Sequence, residues 1–158
     1  MKELSGRAAT KLDVPPERCI ALLAAIERYP DWYPDVIRRA EVLERDAAGA
    51  PTRATATVHV AIGPVARDFD LRLEVQVDAH SVRLARIPHQ ATDEEEFEMR
   101  WEAGHGSPTE LSVTLRARLD VPRFLPLGDA GESVAQGFVE AARRVLEDSK
   151  PKASASSS

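Results

Sequence analysis

The chain has 158 residues, of which 43% are hydrophobic and 30% charged, the balance of one globular domain with room for a core and a cavity. Its net charge of −5 argues against a nucleic-acid-binding surface, which needs a concentrated basic patch. The first residues form no apolar signal segment and no apolar run is long enough to cross a membrane. We therefore expect a cytoplasmic protein without an integral membrane segment.

The first two predicted elements are a strand and a short helix. Residues 3–13 alternate between apolar and charged side chains, which is typical of a half-buried strand. Pro15 and Pro16 then end the strand and favour the first turn of a helix that continues to residue 28. Cys19, the single cysteine, lies in the apolar part of this helix and is expected to be a buried, reduced thiol.

The next segment, YPDWYPDV at residues 29–36, is predicted to be a tight helical turn. Pro30 and Pro34 are four residues apart, and together they prevent a long regular helix. Trp32 and Tyr33 on this turn have two interpretations: they close the mouth of a cavity, or they anchor the turn to the edge of a sheet.

From residue 37 onward the hydrophobic period is two, which predicts six further strands. Their short connections require antiparallel neighbours, and the alternation indicates one covered and one wet sheet face. The scattered arginines are interpreted as part of solvated faces. The predicted strands cover residues 37–45, 52–62, 65–77, 82–87, 97–103 and 111–121.

The last predicted element is a long amphipathic helix over residues 129–147. Asp129 is suited to the N-cap position, and Glu132 completes a capping box with it. The broad apolar arc of this helix requires a sheet to pack on. Gly137, at the edge of the arc, indicates either close helix–sheet contact or room for a bound molecule.

These elements predict an α+β domain over residues 1–148, with a disordered Ser/Ala-rich tail at 149–158. Its order is β-α-α-β6-α, a curved antiparallel sheet of about seven strands wrapped around the C-terminal helix. Three segments resemble the START-like helix-grip (SRPBCC) superfamily, in the branch of polyketide cyclase/dehydrase and coenzyme Q-binding (COQ10-type) proteins. They are VPPERCIALL at 14–23, YPDWYPDV at 29–36 and PRFLPLG at 122–128.

The helix laid across a bent sheet predicts a ligand cavity between the two, and the resemblance implies the same. Candidate ligand-binding residues are those with the parity or helical phase of the concave face, with the aromatic residues of the turn and of the loop before the last helix. They are Trp32, Tyr33, Val58, Val60, Arg67, Phe69, Leu71, Phe97, Met99, Trp101, Leu115, Phe124, Leu125, Val134 and Phe138.

Several of these residues have a second interpretation. Arg67 could fix a carboxylate, phenolate or quinone oxygen, or its charge could turn outward to solvent beside the Gly-Pro turn. Phe124, Leu125 and Leu127 could form a lid over the cavity or pack as ordinary core.

No catalytic or metal-binding pattern is found in the sequence. The four histidines are dispersed and lack the close spacing of a zinc site. There is no nucleophile elbow, phosphate-binding loop or dinucleotide-binding motif, so no cofactor is expected.

Three functions fit these observations. The first is binding of a small hydrophobic or amphipathic molecule that is lipid-, quinone- or polyketide-like. The second is an aromatase/cyclase-type enzyme that acts on a polyketide-like substrate by orienting it in the same cavity. The third is an interaction module like the ribosome-associated toxins of the superfamily, which the acidic charge disfavours. The sequence leaves the oligomeric state open.

Overall fold

The computed structural model of the protein describes residues 2–120 and 128–148. The expected lid residues Phe124, Leu125 and Leu127 and the expected tail at 149–158 lie outside these ranges.

The order of elements is the one that the sequence predicts, and most boundaries agree within one or two residues. The elements are β1 (Lys2–Leu12), α1 (Pro16–Ala24), a 3₁₀ turn (Ile26–Arg28), α2 (Tyr29–Trp32), β2 (Ile37–Arg45), β3 (Pro51–Ile62), β4 (Val65–Val77), β5 (Ser81–Arg86), β6 (Glu96–Ala103), β7 (Thr109–Leu119) and α3 (Ala130–Asp148).

The strands form one seven-stranded antiparallel sheet with the order β1-β7-β6-β5-β4-β3-β2. Neighbours along the chain pair with each other from β2 to β7, which the short connections require. The long-range pairing is that of β1 with β7, from Lys2 opposite Leu119 to Leu12 opposite Thr109. The predicted α+β helix-grip architecture is therefore confirmed.

The sheet is uneven at one end, and this unevenness positions the candidate site. β3 and β4 pair from Arg53 opposite Glu74 up to Ile62 opposite Val65. β5, however, pairs only with the last part of β4, from Leu73 to Val77. Within the described ranges, the β3–β4 hairpin therefore projects beyond β5, and the concave face is open beside the hairpin tip.

Helix α3 packs across the concave face, where it meets β1 at very close range. A Cβ atom on Gly6 would overlap the carbonyl oxygen of Gly131, and a Cβ on Gly131 would overlap that of Ser5. Two glycines therefore allow the first turn of α3 to rest directly on the β1 backbone. The buried positions of α3 are Gly131, Ala135, Phe138, Val139, Ala141, Ala142 and Leu146.

The predicted first helix is too long. α1 ends at Ala24, because Ala25 has a ψ of 72° and leaves the helical region. A separate 3₁₀ turn follows before α2, so the predicted single helix to residue 28 is wrong. Cys19 is buried in α1 as expected, and burial raises the pKa of its thiol.

Arg86 departs from the expectation that the arginines are solvated. Its side chain is only 4% exposed, and its guanidinium lies 2.5 Å from the Asp93 carboxylate. It also donates to the carbonyl oxygen of Glu95. The hydrogen bond from Arg86 lowers the pKa of Asp93 to about 2. This ion pair ties the segment between β5 and β6 to the sheet.

Within the described part of the chain, no helix has the length and apolar character of a membrane span.

Candidate functional site

A cavity of about 450 Å³ lies between the first half of α3 and the open end of the sheet. This volume falls within the range of roughly 300–1,000 Å³ typical of small-molecule sites. The strands that surround it are β1, β3, β4, β6 and β7, and its floor is formed where these strands pass under α3.

Eight of the candidate ligand-binding residues border this cavity. Their side chains are apolar, and they come from four strands and the helix. On the sheet they are Val58, Val60, Phe69, Leu71, Phe97 and Leu115, and on α3 they are Val134 and Phe138. Strand parity and helical phase could identify these residues because both periodicities place side chains on one face, and these two faces enclose the same concave space.

Two other candidates on the same strand parity are core residues and do not line the cavity. Trp101 is completely buried, and its ring meets Trp32 and Phe138 edge-on at 6.4 and 6.1 Å between centroids. Met99 borders a separate apolar void of only about 20 Å³. Both residues lie on β6, which pairs with β5 at the closed side of the concave face.

Trp32 and Tyr33 do not border the cavity either. They pack with Phe138, Trp101 and Tyr29 in an aromatic cluster at the closed side of the sheet. The ring centroids of Tyr33 and Phe138 are 4.6 Å apart in an edge-to-face arrangement. Tyr29 donates a 2.6 Å hydrogen bond to the Leu23 carbonyl, and burial raises its pKa. In this geometry Trp32 and Tyr33 anchor the turn to α3, whereas the anchoring interpretation expected them to hold it to a sheet edge.

The space beside Gly137 is occupied by Tyr33, which corrects both expectations for this glycine. A Cβ at Gly137 would overlap the Tyr33 hydroxyl and come within 3.0 Å of its ring. The glycine therefore accommodates a side chain of the turn, not the sheet and not a ligand. Burial, reinforced by the nearby Asp35 carboxylate, raises the pKa of the Tyr33 hydroxyl.

Arg67 lies at the rim of the cavity, near the start of β4, and is exposed. Its guanidinium donates to the backbone carbonyl of Asp120 beyond the end of β7. It also sits over the ring of Phe69, 5.1 Å from the centroid. Arg67 is not one of the lining residues, but it bridges the two strands that flank the opening and covers the outer face of a ring that does line it.

Sequence reasoning missed several apolar lining residues. Leu4, Ala117 and Leu119 have the buried parity of β1 and β7, so the signal was present in the alternation. Val36, Ala61, Gly63 and Ala130 come from the ends of elements, where parity says nothing about direction.

It also missed four polar residues around the cavity: Asp35, His59, Asp129 and Ser133. His59 is the least exposed of them, with 24% of its side chain accessible, and its Nδ1 lies 2.6 Å from the Asp68 carboxylate. Asp68 is directly opposite His59 in the β3–β4 register, so the carboxylate holds the imidazole in one orientation. No local sequence pattern links these two residues, which are nine positions apart.

A pair of histidines lies away from the cavity. The rings of His80 and His105 are 3.8 Å apart, although 25 residues of sequence separate them. Among the described residues, no group of three or more histidine, cysteine, aspartate or glutamate side chains could hold a metal ion. Two imidazoles alone fall short of the three or four protein ligands usual for zinc.

A groove of about 420 Å³ on the convex face is chemically different from the cavity. Its walls carry alternating charges, with Arg83 paired to Glu98 at 2.8 Å and Arg118 to Glu3 at 3.5 Å. Such exposed pairs contribute little energy and offer little apolar area to a ligand. The cavity under α3 is therefore the better candidate site.

A long helix held by a curved seven-stranded antiparallel sheet, with an apolar cavity between them, defines a START-like helix-grip protein. The family described as polyketide cyclase / dehydrase and lipid transport matches residues 12–146, and the chain belongs to this family. No curated protein sequence matches the chain.

Solved structures of low sequence identity share the fold. A START superfamily protein from Mycobacterium smegmatis is 19% identical with a TM-score of 0.68, over 92% of this chain and 98% of that one. A protein from Thermus thermophilus is 21% identical with a TM-score of 0.65, over 92% and 99%. The di-domain ARO/CYC StfQ from the steffimycin biosynthetic pathway is 13% identical with a TM-score of 0.63, over 92% of this chain and 51% of that one. At such identities the likeness shows the fold alone.

Proposed function

We propose that the protein binds a small hydrophobic or amphipathic molecule in the cavity between α3 and the sheet. The observation that carries this proposal is the 450 Å³ cavity, whose floor is built from aliphatic and aromatic side chains such as Leu71, Phe97 and Leu115. Each methylene group that a ligand buries there contributes about 0.8 kcal/mol. The family description, which includes lipid transport, supports the same class of ligand.

The experiment uses a neutral fluorescent probe, N-phenyl-1-naphthylamine, and a series of straight-chain alcohols that compete with it. Affinity should increase by up to about 0.8 kcal/mol per added methylene and level off once the chain fills the cavity. Failure of both the probe and the alcohols to bind saturably would contradict the proposal.

A matched pair of variants locates the binding. Ala117 has its side chain on the concave face of β7 and borders the cavity, whereas Thr114 is exposed on the opposite face of the same strand. Ala117→Phe should fill part of the cavity and weaken probe binding at least tenfold. A tenfold change in Kd corresponds to about 1.4 kcal/mol of binding free energy. Thr114→Phe adds a similar side chain to the convex face and should leave binding unchanged.

A second candidate function is catalysis of the cyclase type, and the His59–Asp68 pair favours it. His59 borders the cavity, and its imidazole lies 2.6 Å from the Asp68 carboxylate, a pairing that general bases use. The names of the family and of the StfQ structure point to the same chemistry. Turnover of a polyketide thioester mimic by the wild type, reduced at least a hundredfold in His59→Gln, would support it. Binding of the mimic without turnover would favour carriage instead.

A further inference from the structure

The polar side chains around the cavity are unequal in charge. Asp35 and Asp129 are the acidic lining residues, and both are exposed at the solvent side. Among the described lining residues there is no lysine or arginine, and His59 is already bonded to Asp68. Within the described ranges, the mouth of the apolar cavity thus carries two carboxylates and no lysine or arginine.

Within the described ranges, neither Asp35 nor Asp129 has a hydrogen bond or ion pair through its side chain. Asp35 also lies close enough to Tyr33 for its charge to help raise the pKa of that hydroxyl. The start of α3 carries roughly half a positive elementary charge, which offsets only part of the two negative ones.

Among the described residues, the rim cation Arg67 does not reverse this balance. Its guanidinium is exposed, lies over the outer face of Phe69 and donates to the Asp120 carbonyl instead of lining the cavity. A carboxylate head group at the mouth would therefore lie beside Asp35 and Asp129, which repel it.

We propose that the cavity selects amphipathic ligands with a cationic head group, such as a primary amine on an apolar body, over those with a carboxylate or phosphate. This inference rests on the proposed binding function, because it assigns the head group of a molecule whose apolar part occupies the cavity. The apolar floor supplies affinity, and the two aspartates supply the choice between head groups.

The test compares three ligands with the same ten-carbon chain: decylamine, decanol and decanoate. Each competes with N-phenyl-1-naphthylamine at pH 7, below its critical micelle concentration. Decylamine should bind about tenfold more tightly than decanoate, with decanol between them. The ratio should shrink at 0.5 M NaCl, because salt screens exposed charges.

The Asp35→Asn/Asp129→Asn double variant should bring amine and carboxylate within about twofold of each other. Asparagine has nearly the size of aspartate, so the shape of the cavity mouth is kept while both charges are removed. The control is Glu110→Gln/Asp148→Asn, which removes two exposed carboxylates at the opposite ends of β7 and α3. This control should keep the wild-type ratio.

Three results would overturn the proposal. Equal binding of all three ligands would leave the proposed function standing and remove the head-group preference. A preference for decanoate that disappears in Arg67→Ala would assign head-group recognition to Arg67. If none of the three ligands binds, decanol included, the proposed function itself is wrong.

Discussion

The two ends of the concave face differ, although the same helix crosses both. At the closed end, Trp101, Phe138 and the rings of the α2 turn pack together and leave a void of only about 20 Å³. At the open end, the wall is made of smaller residues such as Val60, Ala61 and Ala117, and the cavity remains. Side-chain volume and the position of one short turn therefore determine which end of the concave face is packed and which end contains a cavity.

The largest expected effect comes from emptying the closed end. Trp101→Ala should destabilise the protein by about 3–5 kcal/mol in urea unfolding, because a fully packed ring leaves a new void. Phe69→Ala at the open end should cost about half as much, since that ring already borders empty space. Equal costs would mean that the two ends are packed alike and that the comparison is wrong.

A smaller effect is expected where the turn meets the helix. Gly137→Ala should cost about 1–3 kcal/mol, because the new Cβ overlaps the Tyr33 hydroxyl. This cost is the net value, after the gain of about 1 kcal/mol from better helix propensity has been subtracted. The measurement is again the urea midpoint, with Gln136→Ala on the exposed face as a control.

The Tyr33→Phe background tests the cause of that loss. Without the hydroxyl, Gly137→Ala should cost less than about 1 kcal/mol, because the closest clashing atom is gone. An unchanged cost in this background would show that the Tyr33 hydroxyl is not what requires glycine here.

The smallest effect concerns acid stability beside the open end, where Arg86 holds the segment that leads to Phe97. The pKa of Asp93 is lowered to about 2 by Arg86, against about 3.9 in an unfolded chain. Its contribution is therefore present above about pH 4 and is lost as the pH falls toward 2.

Asp93→Asn should flatten the dependence of stability on pH between about 4 and 2. Asp31→Asn, which removes an exposed carboxylate 3.7 Å from Arg28, should keep the wild-type profile. Urea unfolding at a series of pH values measures both variants. A profile for Asp93→Asn that parallels the wild type would contradict the role of the Arg86 pair.

Most of the fold could be predicted from the sequence because it follows from the local periodicity of apolar residues. The alternation of β3, β4 and β7 and the helical spacing of α3 each depend on residues a few positions apart. Parity also identified most of the apolar cavity wall, including Phe69 and Leu115. Local patterns of this kind specify which face of an element is covered.

Parity did not distinguish the filled end from the hollow end. Trp101 and Phe97 lie on the same face of β6, yet one is core and the other lines the cavity. The outcome depends on the distant α2 turn, whose Tyr33 fits against Gly137.

The polar partners are also a tertiary result. His59 finds Asp68 across a hairpin, Arg86 finds Asp93 across a loop, and Asp35 and Asp129 meet at one cavity from elements 94 residues apart. The sequence by itself determined the sheet, the helix and the apolar face between them, since these follow from short-range spacing. Only the tertiary structure decided where the cavity lies and which charges surround it, because both depend on contacts between residues far apart in the chain.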